Sequence, residues 1–158
     1  MGREDEVTAA LKYIEPRLND LVVLATAGST SIAGDIGLGR RIPISQMGQG
    51  VGRLLSIVCS IIDNEGGGLL VDEIENGLHY GVLRHVWEVV LRSAERYDVQ
   101  IFATTHSLEA IEAAVEATEG HEGSLAFYRL DRVGSDIKVV EGNDSRLRSA
   151  VKVGYEIR

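Results

Sequence analysis

A chain of 158 residues, 44% apolar and 25% charged, is long enough for one domain with a real core. Its formal charge of −8 argues against the chain alone tracking a nucleic-acid backbone, since that affinity comes mainly from Lys and Arg. No apolar stretch approaches the ~20 residues needed to cross a bilayer, and the acidic opening Arg3-Glu4-Asp5-Glu6 is the reverse of a basic export signal, so a cytoplasmic location without membrane contact is expected. The single Cys59 excludes an internal disulfide; set among Val51, Leu54, Leu55, Val58 and Ile62, it reads as a small core residue.

In chain order, Val7, Ala10, Leu11 and Ile14 predict a helix within 4–19, disturbed at Pro16. The β-branched run 21–25, a turn at Gly28-Ser29-Thr30 and a possible return over 31–38 predict a hairpin. Gly48, Gly50 and Gly52 then recur every second residue, just before an apolar stripe of helical period, so a glycine-rich loop opens a helix. Leu69-Leu70-Val71 is continuously apolar, as a strand covered on both faces would be. Leu83, Val86, Trp87, Val90, Leu91 and Ala94 mark one face of a long helix, and 99–104 is a second buried strand, which together predict a parallel crossover unit. A helix capped by Ser107 runs to about Ala117; a hairpin over 124–131 and 136–141 and a short helix over 144–151 close the chain.

Asp72 and Glu73 follow the first buried strand; Thr104, Thr105 and His106 follow the second. Ligands of open parallel sheets bind outside the carboxyl ends of the strands, so both clusters are expected to face one crevice. There Asp72 can hold Mg2+ through water, and Glu73 can polarise the water that attacks a phosphoryl group. Residue by residue, blander roles stay open: the two carboxylates as a helix cap or solvated surface, and His106 as a satisfied hydrogen-bonding side chain.

Three segments together are more specific. GLLVDEIENGLHY (68–80) resembles the Walker B strand, catalytic glutamate and D-loop of ABC-type ATPases, especially OLD-like and other AAA-labelled ATPases related to RecF and SMC heads. FATTHS (102–107) is similar to their switch-histidine strand, and ISQMGQGVGRLL (44–55) to their signature loop and following helix, in the family order. The resemblance covers 43–117 well, and the ending GYEIR (154–158) is similar to the natural terminus of such proteins. It implies an α/β fold, a partial P-loop NTPase of ABC type with a parallel βαβ core, flanking helices and a C-terminal β-hairpin. It also implies ATP and Mg2+ as ligands of the intact protein. Asp72 would bind the metal, Glu73 would orient or activate water, and His106 would contact the γ-phosphate. Asn76, Gly77, Leu78 and His79 would form a D-loop that crosses between two heads. Ser45, Gln46, Gly48, Gln49 and Gly50 would serve the nucleotide of the opposite subunit, with Gly48 and Gly50 allowing close backbone approach. The pattern departs from the family at Gln46, where Ser is usual, and at Met47, where Gly is usual.

A phosphate-binding loop reads G-x-x-x-x-G-K-S/T, and no Gly-Lys pair occurs here; Lys12, Lys138 and Lys152 follow Leu, Ile and Val. The expectation is a single domain over 1–158, the C-terminal lobe of an ATPase whose P-loop lobe lies elsewhere, nearly inactive alone and paired head to head as a homodimer in the intact protein. A short accessory subunit that supplies the signature and D-loops in trans is the alternative. A metal-dependent phosphohydrolase built on Asp72, Glu73 and Glu75 is a third, with Glu75 otherwise an ordinary surface residue. Asp131 and Asp136 read as turn residues, not as part of an appended nuclease.

Overall fold

A computed structural model describes residues 2–26, 28–121 and 123–153. The sequence ending at 154–158 lies outside them. Helix α1 (Arg3–Leu11) starts on Glu4, Asp5 and Glu6, whose charges favour a helix N-terminus. It is shorter than the apolar spacing predicts. Tyr13 and Ile14 donate to Ala10 and Leu11, the tight i→i+3 bonds of a closing turn, and Pro16 disfavours helical backbone at the residue before it.

Strands β1 (Asp20–Thr26) and β2 (Ser29–Asp35) form the expected hairpin, with Thr26 opposite Ser29 across a two-residue connection. Strand pairing thus resumes at Ser29, inside the segment expected to be turn. A third strand, β3 (Arg41–Pro43), pairs with β2 and was not foreseen; three residues are too few for a period to show. A 3-10 turn at Ile44–Gln46 leads to α2 (Gln49–Asp63), which buries Val51, Leu54, Leu55, Ile57, Val58, Ile61 and Ile62.

Strand β4 (Gly68–Val71), helix α3 (Leu83–Arg96) and strand β5 (Gln100–Ala103) make the crossover unit, with β4 and β5 parallel and Leu70 opposite Phe102. The expectation that both sheet faces are covered fails. Leu69 and Ile101 pack against the helical core, but Leu70 is 83% and Phe102 54% exposed on the other face. The sheet has two strands, and none of the described residues lies over that second face well enough to shield it.

Helix α4 (Leu108–Ala117) begins as foreseen, the Ser107 hydroxyl accepting from Ala110 N–H at 3.1 Å. The buried Trp87 indole donates to the Ala110 carbonyl at 3.0 Å and ties α3 to α4. Strands β6 (Ala126–Val133) and β7 (Asp136–Asn143) form the terminal hairpin. Helix α5 (Asp144–Val153) follows, and its Leu147 packs with Ile111 and Val115 in a second small core. Asp136 stands beside the hairpin turn, whereas Asp131 lies within β6, opposite Lys138 and ion-paired with Arg129 at 2.8 Å. Among the described residues no helix is long and apolar enough to cross a membrane.

Candidate functional site

The register that sets Val71 beside Ala103 also sets Asp72 beside Thr104, at the tips of adjacent parallel strands. The Thr104 hydroxyl donates to Asp72 Oδ1 and accepts from Glu73 N–H at 2.9 Å, so one side chain just after β5 holds both acidic residues that follow β4. The backbone continues the tie: Thr104 N–H donates to the Val71 carbonyl at 2.9 Å and Ile74 N–H to the Thr104 carbonyl at 3.1 Å.

Glu73 has φ +45°, in the left-handed region that a residue with a Cβ enters only at a cost. The turn is held from several sides. Asn76 N–H donates to the Glu73 carbonyl at 2.9 Å, and Asn76 Nδ2 lies 3.4 Å from Glu73 Oε2. Arg53, on α2, donates through Nη2 to the carbonyls of Asp72 at 2.7 Å and Glu73 at 3.1 Å. Asp72, Glu73 and His106 are all exposed at this end of the sheet. They stand on an open shelf rather than in a cavity, because the sheet face beside them is bare.

His106 follows β5 by three residues, and its backbone N–H donates to Glu75 Oε1 at 3.1 Å. Glu75 is therefore more than the surface residue expected: it is half-buried, and links the loop after β4 to the loop after β5.

The glycine-rich loop is the second part of the site. Gly48, the N-cap of α2, has φ +97° and ψ 156°, a combination open essentially to glycine alone. Ser45, Gln46, Gly48 and Gln49 are exposed. Met47, in contrast, turns inward and packs on the core. Gly34 makes its room, for a Cβ there would lie 3.0 Å from Met47 Cε and 2.5 Å from Leu18 Cδ1. The departure at Met47 is thus an anchor under the loop.

The structure brings this loop against 76–79. A Cβ on Gly77, which has φ +79°, would meet Gln49 Cβ at 3.3 Å, and one on Gly50 would meet Leu78 Cδ2 at 3.4 Å. His79 Nδ1 accepts from Gly81 N–H at 3.1 Å and caps the 3-10 turn Tyr80–Val82. An open groove of about 540 Å3 between α1, α2 and α3, lined by Tyr13, Val58 and Arg92 among others, contains none of these residues.

Sequence reasoning did not single out Arg53. A signal existed, since Arg53 is the one charged residue in 49–62, an otherwise neutral helical stretch. Pairing Glu75 with the His106 backbone has no sequence signal, because it arises where two loops meet.

A parallel βαβ unit with an acidic pair and a histidine loop at its carboxyl end, beside a glycine-rich helix start, is what this chain of ABC/AAA ATPase type presents, on a fold like that of SMC heads. The family model described as "AAA domain, putative AbiEii toxin, Type IV TA system" matches residues 3–112, and the chain belongs to that family. Over 80 residues it is 36% identical to the uncharacterized protein MJECL11 of Methanocaldococcus jannaschii, which covers 49% of this chain and 68% of that protein. Over 75 residues it is 32% identical to an ATP/GTP phosphatase of Helicobacter pylori, covering 46% of this chain but only 20% of the relative.

Solved structures agree on the fold. A chain from work on ATP-driven dimerization and DNA-stimulated activation of SMC ATPases superposes with a TM-score of 0.66 at 13% identity, covering 98% of this chain and 92% of that one. An Smc head bound to the C-terminal winged-helix domain of ScpA gives 0.67 at 12% identity over 93% of this chain and 44% of that one. The Smc head domain with an extended coiled coil from Pyrococcus furiosus gives 0.65 at 14%, over 96% and 37%. These likenesses support an α/β P-loop NTPase-type fold represented in part, with the parallel core and the terminal hairpin expected from sequence.

Proposed function

We propose that this chain is the catalytic C-terminal lobe of an ATP-binding and ATP-hydrolysing protein, completed by a P-loop-bearing segment that covers the bare face of β4 and β5. One observation carries the reading: Asp72 and Glu73, tied to Thr104, stand at the edge of a sheet whose Leu70 and Phe102 are left in water. Exposed apolar side chains beside reactive carboxylates suit a docking face for the phosphate-binding lobe. A P-loop supplied by a partner chain would use the same face, so the accessory-subunit alternative differs only in covalent connection.

In this reading Asp72 holds Mg2+, Glu73 orients the attacking water and His106 contacts the γ-phosphate. Among the described residues no three His, Cys, Asp or Glu side chains converge as a metal cage. The single Asp72 carboxylate still fits Mg2+, which keeps most of its waters and takes one or two carboxylates plus phosphate oxygens. Bound there, Mg2+ would neutralise charge building on the phosphoryl oxygens. Thr104 fixes the Asp72 oxygen that faces β5, and the Glu73 turn aims the carboxylate outward. The unaided phosphohydrolase is disfavoured, since Glu75 Oε1 is engaged by the His106 N–H and turned from the acidic pair's task.

The loop 45–50 and residues 76–79 pack as one surface, which suits contact with the nucleotide of a second head in a head-to-head homodimer. The test is MgATP binding and turnover by the chain alone and after adding the P-loop-bearing segment of its parent. Weak binding and no turnover alone, with both restored in the mixture and turnover lost in Glu73→Gln, is the expected result. Turnover that survives Glu73→Gln, or no gain from the added segment, overturns the reading.

A further inference from the structure

The Glu73 turn is gripped by two elements, and only one of them belongs to its own sheet. Just past the end of β5, Thr104 accepts from the Glu73 N–H through its hydroxyl and from the Ile74 N–H through its carbonyl. From α2, one guanidinium nitrogen of Arg53 takes the Asp72 and Glu73 carbonyls at 2.7 and 3.1 Å. Arg53 sits one helical turn after Gln49, the residue in close contact with Gly77. Helix α2 therefore carries the glycine-rich loop at its start and the clamp on Glu73 a turn later.

We propose that Arg53 is a positioning residue that couples the placement of the glycine-rich loop to the backbone conformation of Glu73, and so to the competence of the acidic pair. The coupling rests on the ATPase reading above, but the clamp itself does not.

Three physical facts carry it. A left-handed backbone is strained for a residue with a Cβ, so Glu73 keeps its φ of +45° only while its neighbours hold it. Both carbonyls lie where the β4 ladder has ended, and Nη2 carries two N–H groups held in the guanidinium plane, one for each oxygen, whereas the donors of a lysine ammonium rotate freely. Finally, Arg53 Nε is buried without a hydrogen-bond partner among the described residues. That leaves the hold on this turn to Nη2, so a displacement of α2 that moves Nη2 changes the hold on Glu73. Arg53 thus stands between the glycine-rich loop and the turn that carries Glu73.

The experiment uses the whole chain, first without nucleotide. Backbone hydrogen exchange is measured for Arg53, Arg53→Lys and Arg53→Ala, the last also with millimolar guanidinium ion added. The readout is the Asn76 N–H, which donates to the Glu73 carbonyl, with core amides of α2 and α3 as the internal standard. Exchange at Asn76 faster by about tenfold or more in both variants, core amides unchanged, and partial restoration by guanidinium are expected. Equal acceleration everywhere, or Lys performing as well as Arg, overturns the clamp; should Arg53→Ala not fold, Arg53→Lys alone decides.

Turnover is then measured with the P-loop-bearing segment added. Loss of the clamp should lower kcat about tenfold while KM for ATP stays within about twofold, the pattern of an interaction that matters in the transition state. A rise in KM with kcat unchanged overturns the coupling. If native Arg53 governs exchange but no mixture hydrolyses ATP, the ATPase reading fails and the coupling with it, while the clamp stands.

Discussion

A Cβ on Gly50 would lie 3.4 Å from the carbonyl oxygen of Gly77, so the start of α2 and the turn after Glu75 approach each other backbone to backbone at these two glycines. The two glycines are not equivalent. Gly50 sits in ordinary helical space at the edge of normal contact, whereas Gly77 combines φ +79° with a would-be Cβ 3.3 Å from Gln49 Cβ.

Gly77→Ala should therefore destabilise the chain by about 1–2 kcal/mol, the cost of left-handed backbone for a residue with a Cβ. Gly50→Ala should change stability by less than about 1 kcal/mol, since helix propensity gained offsets a tight contact. Urea denaturation of both variants checks this, and equal losses would contradict the assigned contact.

The exposed sheet face makes a second prediction. Leu70→Lys should leave stability within about 0.5 kcal/mol of the parent, because the side chain packs on little. The same change should reduce binding of an apolar dye and weaken capture of the P-loop-bearing segment. Capture that is undiminished would remove Leu70 and its neighbour Phe102 from the docking face.

Glu15 and Arg17, on either side of Pro16, predict a pH dependence. Hydrogen bonds from the Arg17 guanidinium, at 2.9 Å to each carboxylate oxygen, hold the Glu15 carboxyl below its ordinary range, against a smaller opposing effect of burial. A carboxyl lowered in the folded state stabilises the fold above its unfolded-state value, and that contribution is lost as pH falls through the folded one. Glu15→Gln should accordingly cost less than about 1 kcal/mol at neutral pH, as partly exposed ion pairs do. The gap between parent and variant should close in acid, and a gap constant from pH 7 to strongly acidic solution would refute the pairing.

Much of this was legible before any coordinates. The apolar periods of α2 and α3 and the Ser107 cap depend on local chemistry that repeats along the chain, and the structure keeps them. The acidic pair and the histidine could be placed at one end of a parallel sheet because strand, helix, strand leaves little topological freedom. The early end of α1 is harder to read, since Ile14 continues the apolar spacing past Leu11, where the helix gives way to turns that mix i→i+3 and i→i+4 bonds. Burial of Leu70 was misjudged for a different reason: an apolar run states what a strand can tolerate on each face, not whether anything covers it.

Residue order along the chain, then, determined the class of fold, the α2 glycine loop and the candidates Asp72, Glu73 and His106, because each is written in a short stretch of neighbouring residues. Only the tertiary structure decided that Thr104 ties Asp72 to Glu73, that Arg53 reaches the carbonyls of both, that Gly34 makes room for Met47, and that Phe102 lies bare. Those relations join residues far apart in the chain, and no local pattern encodes which side chain will meet which backbone once the helices pack.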